Sequence, residues 1–212
     1  MTQLTARFLV WDVNMLSRLV MRDGQRWRLS VARAFTRSAD GFAYALIPPL
    51  LLYSLRREAV PLLVAAVLAF AIERTMYLTL KSRLRRQRPC DRFDCIPAHV
   101  RPPDEFSFPS GHTSVSASFT RLTSRNLQSI EMGKRARHAL DLGLDAVTIG
   151  TAWSRVEAGE HFPSDTLASI AIGNFIASFV NDAFLGGTGN QQAGVEVAAS
   201  GGRAVVRWRI SF

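Results

Sequence analysis

The chain has 212 residues, 48% of them hydrophobic and 20% charged, with a formal charge of +9. That length closes one domain's core without disulfides or a metal staple, and that balance excludes a disordered chain. A basic excess asks for anionic partners, but the Arg residues are spread between apolar runs and form no single reading helix, which excludes nucleic acid in favour of membrane lipids and their anionic headgroups.

Residues 3 to 21 place Gln3, Arg7, Asn14 and Arg18 on one helical stripe, with Phe8, Leu9, Met15, Leu16 and Leu19 elsewhere around the wheel. An amphipathic helix is predicted, and Asp12 argues that it lies in a membrane interface and does not cross. The start has neither a clean apolar core nor a small-residue cleavage site, so no cleaved signal peptide is expected. Arg22, Arg26, Arg28, Arg33 and Arg37 follow as a basic stretch suited to solvent or anionic headgroups.

Gly41 to Leu55 is uncharged and bulky and reads as a first spanning segment, kinked at Pro48-Pro49. Ala59 to Ile72 is a second, extended by residues 76 to 80 beyond Glu73-Arg74. That charged pair is expensive against lipid and is predicted to face the bundle interior. Lys81 and Arg88-Pro89 close the run, with six residues between two cations that can serve one charged site. Residues 82 to 105 are too polar and Pro-broken for a long helix and read as a loop, and a lid, over that site. Cys90 and Cys95 within it could close a small disulfide or remain thiols, and as a lone pair they lack the further ligands of a zinc site.

Phe106-Ser107-Phe108-Pro109-Ser110-Gly111-His112-Thr113 leads into small, mostly apolar residues. Ser110 can cap a helix whose first amides, that of Gly111 included, point outward as anion donors, with His112 at the same mouth. Ser110 to Thr120 and Leu142 to Trp153 are weakly apolar segments separated by a polar, basic turn from Arg125 to Arg137. Both are shorter than the roughly 18 uncharged residues of a clear span. Their small residues, such as Ser114, Ser116, Ala117, Gly150 and Ala152, are predicted to pack tightly at the bundle centre.

Ser154-Arg155 to His161-Phe162-Pro163-Ser164-Asp165 precedes the last apolar segment, Thr166 to Asn181. Pro163 suits a first helical turn, which sets His161 at a helix mouth. Asp165 could accept from one imidazole nitrogen and leave the other as an unprotonated nucleophile, with Arg155 nearby to hold an anion. Asp182 ends the segment, and the tail is flexible except for Arg203 to Ile210, which fits a short strand or a membrane-touching end. The chain thus divides into an amphipathic and basic region (1–40), an all-α membrane-embedded helical bundle (41–185) and a flexible tail (186–212).

Lys81-x6-Arg88-Pro89, Pro109-Ser110-Gly111-His112 and Ser154-Arg155-x5-His161-x3-Asp165 together resemble the three-part signature of the type 2 phosphatidic acid phosphatase family, shared with vanadium haloperoxidases. The match spans roughly residues 40 to 185. The resemblance implies hydrolysis of a phosphate monoester or diphosphate through a phosphohistidine. His161 would be the nucleophile, Asp165 its orienting partner and His112 the acid and then the base. Lys81, Arg88, Arg155, the Ser110 hydroxyl and the Gly111 amide would bind the phosphoryl oxygens. It implies no metal and no cofactor, with vanadate acting as a phosphate-mimicking inhibitor.

An apolar bundle around such a site implies a lipid-borne leaving group: phosphatidic acid, phosphatidylglycerol phosphate, lipid A phosphate and polyprenyl diphosphates all qualify. The family arrangement implies an integral protein of a bacterial inner membrane with its site on the periplasmic face, although the Arg-rich segments on that side run against the positive-inside rule. The alternatives are a lipid-linked phosphotransferase or vanadate-dependent oxidase on the same site, or a non-catalytic binder of anionic lipid.

Overall fold

A computed structural model describes residues 3–20, 26–39, 60–94, 96, 104–126, 132–186, 193–200 and 203–210. Seven helices run through the described residues: α1 (Gln3–Val20), α2 (Arg26–Ala39), α3 (Val60–Leu84), the single turn α4 (Pro89–Arg92), α5 (Gly111–Asn126), α6 (Lys134–Glu157) and α7 (Pro163–Val180), which runs on into a π-type turn at Asn181–Gly186. The expected first span at Gly41 to Leu55 lies outside the described residues.

Two helical stretches, Leu62–Leu84 and Pro163–Leu185, are long and apolar enough to cross a membrane at 23 residues each. At about 1.5 Å per residue such a helix exceeds the roughly 30 Å of a bilayer's hydrocarbon core. Val64, Val67, Phe70 and Leu78 of α3 and Leu167, Phe175 and Phe179 of α7 face outward. Their inner faces meet through Ala65, Ala69, Ile176, Ala177 and Val180, joined by Leu122 of α5.

The weakly apolar α5 is the central helix, in contact with α3, α6 and α7. Thr113, Ser114, Ser116, Ala117, Ser118 and Thr120 are all buried there. Short side chains let neighbouring backbones approach, which is why a segment that fails a hydropathy test sits at the middle of the bundle. Gly173 of α7 shows how close: a Cβ there would lie 2.9 Å from both the Ala117 Cβ and the Ser118 amide nitrogen, and nearer still to the Ser114 carbonyl. Backbone cannot swing aside, so Gly173→Ala is expected to lower stability in detergent by about 1–3 kcal/mol. Gly143→Ala, on α6 with open space around its Cβ, is expected to gain up to about 1 kcal/mol from helix propensity. Thermal inactivation of the two variants checks the contact, and a stabilising Gly173→Ala would show that α5 and α7 are not packed this tightly.

Three expectations need adjusting. Glu73 is buried and accepts the Ser114 hydroxyl, but Arg74 is exposed, with its guanidinium 4.9 Å from the Tyr77 ring centroid. Neighbours on a helix differ by about 100°, so only one of the pair can point inward. Secondly, α6 starts at Lys134, inside the stretch expected as a turn, with its charged first residues exposed. Thirdly, within the tail Ala193–Ser200 and Arg203–Ile210 pair antiparallel, from Ala193 opposite Ile210 to Ser200 opposite Arg203. The strand reading of Arg203 to Ile210 holds, and Ala193–Ser200, within the stretch expected to be flexible, is its partner strand.

On the amphipathic α1, Phe8, Val10 and Trp11 are exposed, whereas Leu16 packs with Val156, Phe162 and Ile96, supported by Leu19 and Val20. This seats α1 against the mouth of α7.

Candidate active site

The end of the bundle that carries the three motifs is built from helix termini. The last turn of α6 closes on Gly159, whose φ of 75° lies in the left-handed region that glycine tolerates, and the Gly159 amide bonds the Val156 carbonyl at 3.0 Å. The chain passes through Glu160, His161 and Phe162 and enters α7 at Pro163, the position where a missing N–H is harmless. His161 therefore sits on a link anchored at both ends. It is buried.

Its Nδ1 lies 2.5 Å from the Ser107 carbonyl oxygen. A carbonyl only accepts, so Nδ1 carries the hydrogen and Nε2 keeps a free lone pair. Burial, then the charges of Arg88, Arg155 and Lys81, hold the imidazole well below its usual 6.5, against the pull of the Ser107 carbonyl. The ring is neutral at neutral pH.

Asp165 does not make the direct bond to His161 that the sequence suggested. As the third residue of α7 its carboxylate turns back onto the Phe162 amide at 3.0 Å, and it also accepts the Ser107 hydroxyl and one Arg86 nitrogen. It reaches the imidazole through Ser107, whose hydroxyl it receives and whose carbonyl holds Nδ1. Arg86 gives its other nitrogen to Asp12 of α1 at 2.6 Å and lies 4.1 Å above the Phe162 ring.

Lys81, Arg88 and Arg155 come from three places in the chain and are all buried. Lys81 is in the last turn of α3; Arg85, at φ 43°, then turns the chain and α4 begins just after Arg88. Asp104 Oδ1 accepts from both Lys81 and Arg88, the latter at 2.5 Å. Glu160 Oε2 accepts from Arg155 and lies 3.5 Å from Arg88, which also bonds the Glu160 carbonyl at 3.0 Å. Two carboxylate oxygens thus each bridge two cations, the arrangement a phosphate's oxygens would need. Burial alone would raise Asp104, but hydrogen bonds from Lys81 and Tyr77 and the charges of Lys81 and Arg88 outweigh it and hold the carboxyl below its ordinary value.

Ser110 ties the second motif to the third: its amide donates to the Ser169 hydroxyl of α7 at 2.8 Å, and its own hydroxyl pairs with that of Thr113 at 2.9 Å. Gly111 opens α5, and a Cβ there would approach the Tyr77 ring to 2.9 Å. His112 follows, half-buried, at the same end of the bundle as His161. A ladder bridge between Gln87 and Phe106, with the Ser107 amide on the Arg86 carbonyl at 2.7 Å, joins the two ends of the intervening loop. Cys90 carries a free thiol, and Cys95 lies outside the described residues.

All eight sequence-predicted residues therefore lie at one end of the bundle. Asp12, Arg86, Asp104, Ser107 and Glu160 were missed. Arg86 lies inside Lys81-x6-Arg88 but in a run with Arg83 and Arg85 that reads as generic charge, and Asp12 is far away in sequence; Ser107 and Glu160 lie within the stretches of the second and third motifs and so carried a signal.

The profile of the PAP2 superfamily matches residues 58–185. The chain is 31% identical over 179 residues to decaprenylphosphoryl-5-phosphoribose phosphatase of two Mycobacterium tuberculosis strains (CDC 1551 / Oshkosh and ATCC 25618 / H37Rv), covering 84% of this chain and 89% of the relative. Its fold is similar to that of a transmembrane PAP2-type phosphatidylglycerolphosphate phosphatase from Bacillus subtilis, with a TM-score of 0.68 at 21% identity over 82% of this chain and 85% of the other. It is also similar to Aquifex aeolicus LpxE, with a TM-score of 0.61 at 18% identity over 79% and 93%. With three motifs in order, a profile over its helical core and a relative matched along most of its length, the chain belongs to the PAP2 superfamily.

Proposed function

We propose that this membrane lipid phosphatase removes the terminal phosphate of a polyprenyl-phosphate-linked sugar phosphate, with His161 as nucleophile, on the periplasmic face of a bacterial inner membrane. The substrate class rests on the mycobacterial phosphatase, matched over 89% of its length, and on apolar faces of α3 and α7 that can receive a polyprenyl tail. The observation that carries the chemistry is the Ser107 carbonyl on Nδ1, which leaves Nε2 bare beside buried cations.

In the first half-reaction Nε2 attacks phosphorus opposite the leaving oxygen. The N–P bond forms as the P–O bond breaks, and His112 gives a proton to the departing oxygen. In the second, His112 takes a proton from water, the hydroxyl attacks phosphorus, and the N–P bond breaks to release inorganic phosphate and neutral His161. Lys81, Arg88 and Arg155, with the Ser110 hydroxyl and the first amides of α5, stabilise the charge on the equatorial oxygens. Asp165 and Ser107 hold the ring and offset the charge of the developing imidazolium. Vanadate inhibits by occupying the same oxygen positions. No step calls for a metal.

Phosphate release from purified protein in detergent tests the assignment, with polyprenylphosphoryl ribose 5-phosphate, a polyprenyl diphosphate, phosphatidylglycerol phosphate, phosphatidic acid and a water-soluble aryl phosphate as substrates. The polyprenyl-linked sugar phosphate is expected to have the highest kcat/KM, at least about 100-fold above the soluble ester, because remote binding energy is used at the reacting centre. Faster turnover of a glycerolipid phosphate would reassign the substrate.

A further inference from the structure

We propose that Asp12 of α1 is a positioning residue for the nucleophile, acting through Arg86, Asp165 and Ser107. The inference rests on the phosphohistidine reading above, and it places catalytic support in a helix that lies wholly before the profile-matched residues 58–185.

Asp12 is fully buried on an otherwise amphipathic helix. A buried carboxylate is tolerable only when bonded, and this one is: Oδ1 accepts the Ser164 amide at 2.9 Å, and Oδ2 accepts the Ser164 hydroxyl and an Arg86 nitrogen, each at 2.6 Å. Ser164 is the second residue of α7, so its amide belongs to the set that a helix cannot satisfy from within. A carboxylate from another helix caps α7 there, at the positive end of its dipole. The apolar contact of Leu16 with Phe162 and Val156 fixes α1 in that register.

Charge counting gives the cap a chemical role. Arg86 is shared, one nitrogen to Asp12 and the other to Asp165 and the Ser164 hydroxyl. Asp12, Arg86 and Asp165 together carry one net negative charge. Without Asp12, Arg86 would neutralise Asp165, and the anchor beneath Ser107 would carry none. The imidazole becomes cationic as the N–P bond forms, among cations that already repel a positive ring. A net negative anchor is then needed on its Nδ1 side, and Asp12 supplies it.

The test uses Asp12→Asn, Arg86→Gln and the double variant of the full chain, assayed on the best lipid phosphate with His161→Ala as the blank. Asp12→Asn is expected to lower kcat about tenfold with KM within about twofold, the pattern of an interaction made in the transition state. Net anchor charge is −1 in the wild type, 0 in Asp12→Asn, −2 in Arg86→Gln and −1 again in the double variant. The double variant, back at −1, should therefore turn over faster than Asp12→Asn alone, which loss of packing cannot produce. Hydrogen exchange at the Ser164 amide, read without substrate, should accelerate in Asp12→Asn. An unchanged kcat in Asp12→Asn, or a double variant no faster than Asp12→Asn, would overturn the inference. Equal phosphate release by wild type and His161→Ala would instead strike at the phosphohistidine reading itself.

Discussion

His161→Ala is expected to abolish phosphate release, lowering kcat by about 10⁵-fold or more while the protein stays folded, because the proposed covalent bond to phosphorus forms on that ring. The expectation follows from the tautomer. A carbonyl only accepts, so the Ser107 carbonyl holds the hydrogen of the neutral ring on Nδ1 and leaves on Nε2 the lone pair proposed to attack phosphorus. The same burial and cations fix the pH dependence. Protonation removes the nucleophile, and the folded-state value lies well below 6.5, so a His161 ring signal should remain that of neutral imidazole as pH falls through 6.5. A ring that titrated near its ordinary value would mean a wetter, less cationic site.

Arg88→Lys is expected to cost about 100- to 1000-fold in kcat/KM despite keeping the charge. Arg88 spans the site: its guanidinium meets Asp104 on one side and the Glu160 carbonyl and carboxylate on the other. A single ammonium cannot hold both and still face a phosphoryl oxygen. Arg88→Ala would do more, since loss of one partner from a buried ion pair costs about 3–5 kcal/mol. Steady-state kinetics together with thermal inactivation separates the two: Arg88→Lys should keep its thermal stability while losing turnover.

How much of this was legible in the sequence depended on what each residue reports locally. Lys81, Arg88, Ser110, Gly111, His112, Arg155, His161 and Asp165 are set by spacing next to helix ends, and the structure brings them to one end of the bundle. The apolar runs gave α3 and α7 for the same reason. Hydropathy under-read α5, because a central helix is chosen for small side chains that permit approach, as Gly173 against Ala117 and Ser118 shows. Asp12 was read only as the charge that keeps the first helix from crossing the membrane. Its partners, Arg86 and Ser164, are 74 and 152 positions away, and pairing over such separations leaves no local pattern. The indirect link of Asp165 to His161 was likewise out of reach, since the carboxylate is diverted by the capping geometry of α7 and by Ser107.

Rapid quenching of the enzyme with lipid substrate labelled in its terminal phosphate tests the nucleophile most directly. A labelled protein that is stable in base, labile in acid and maps to His161 is the expected product, with none formed by His161→Ala. Turnover with no labelled protein at any time, or label carried on another residue, would contradict the account.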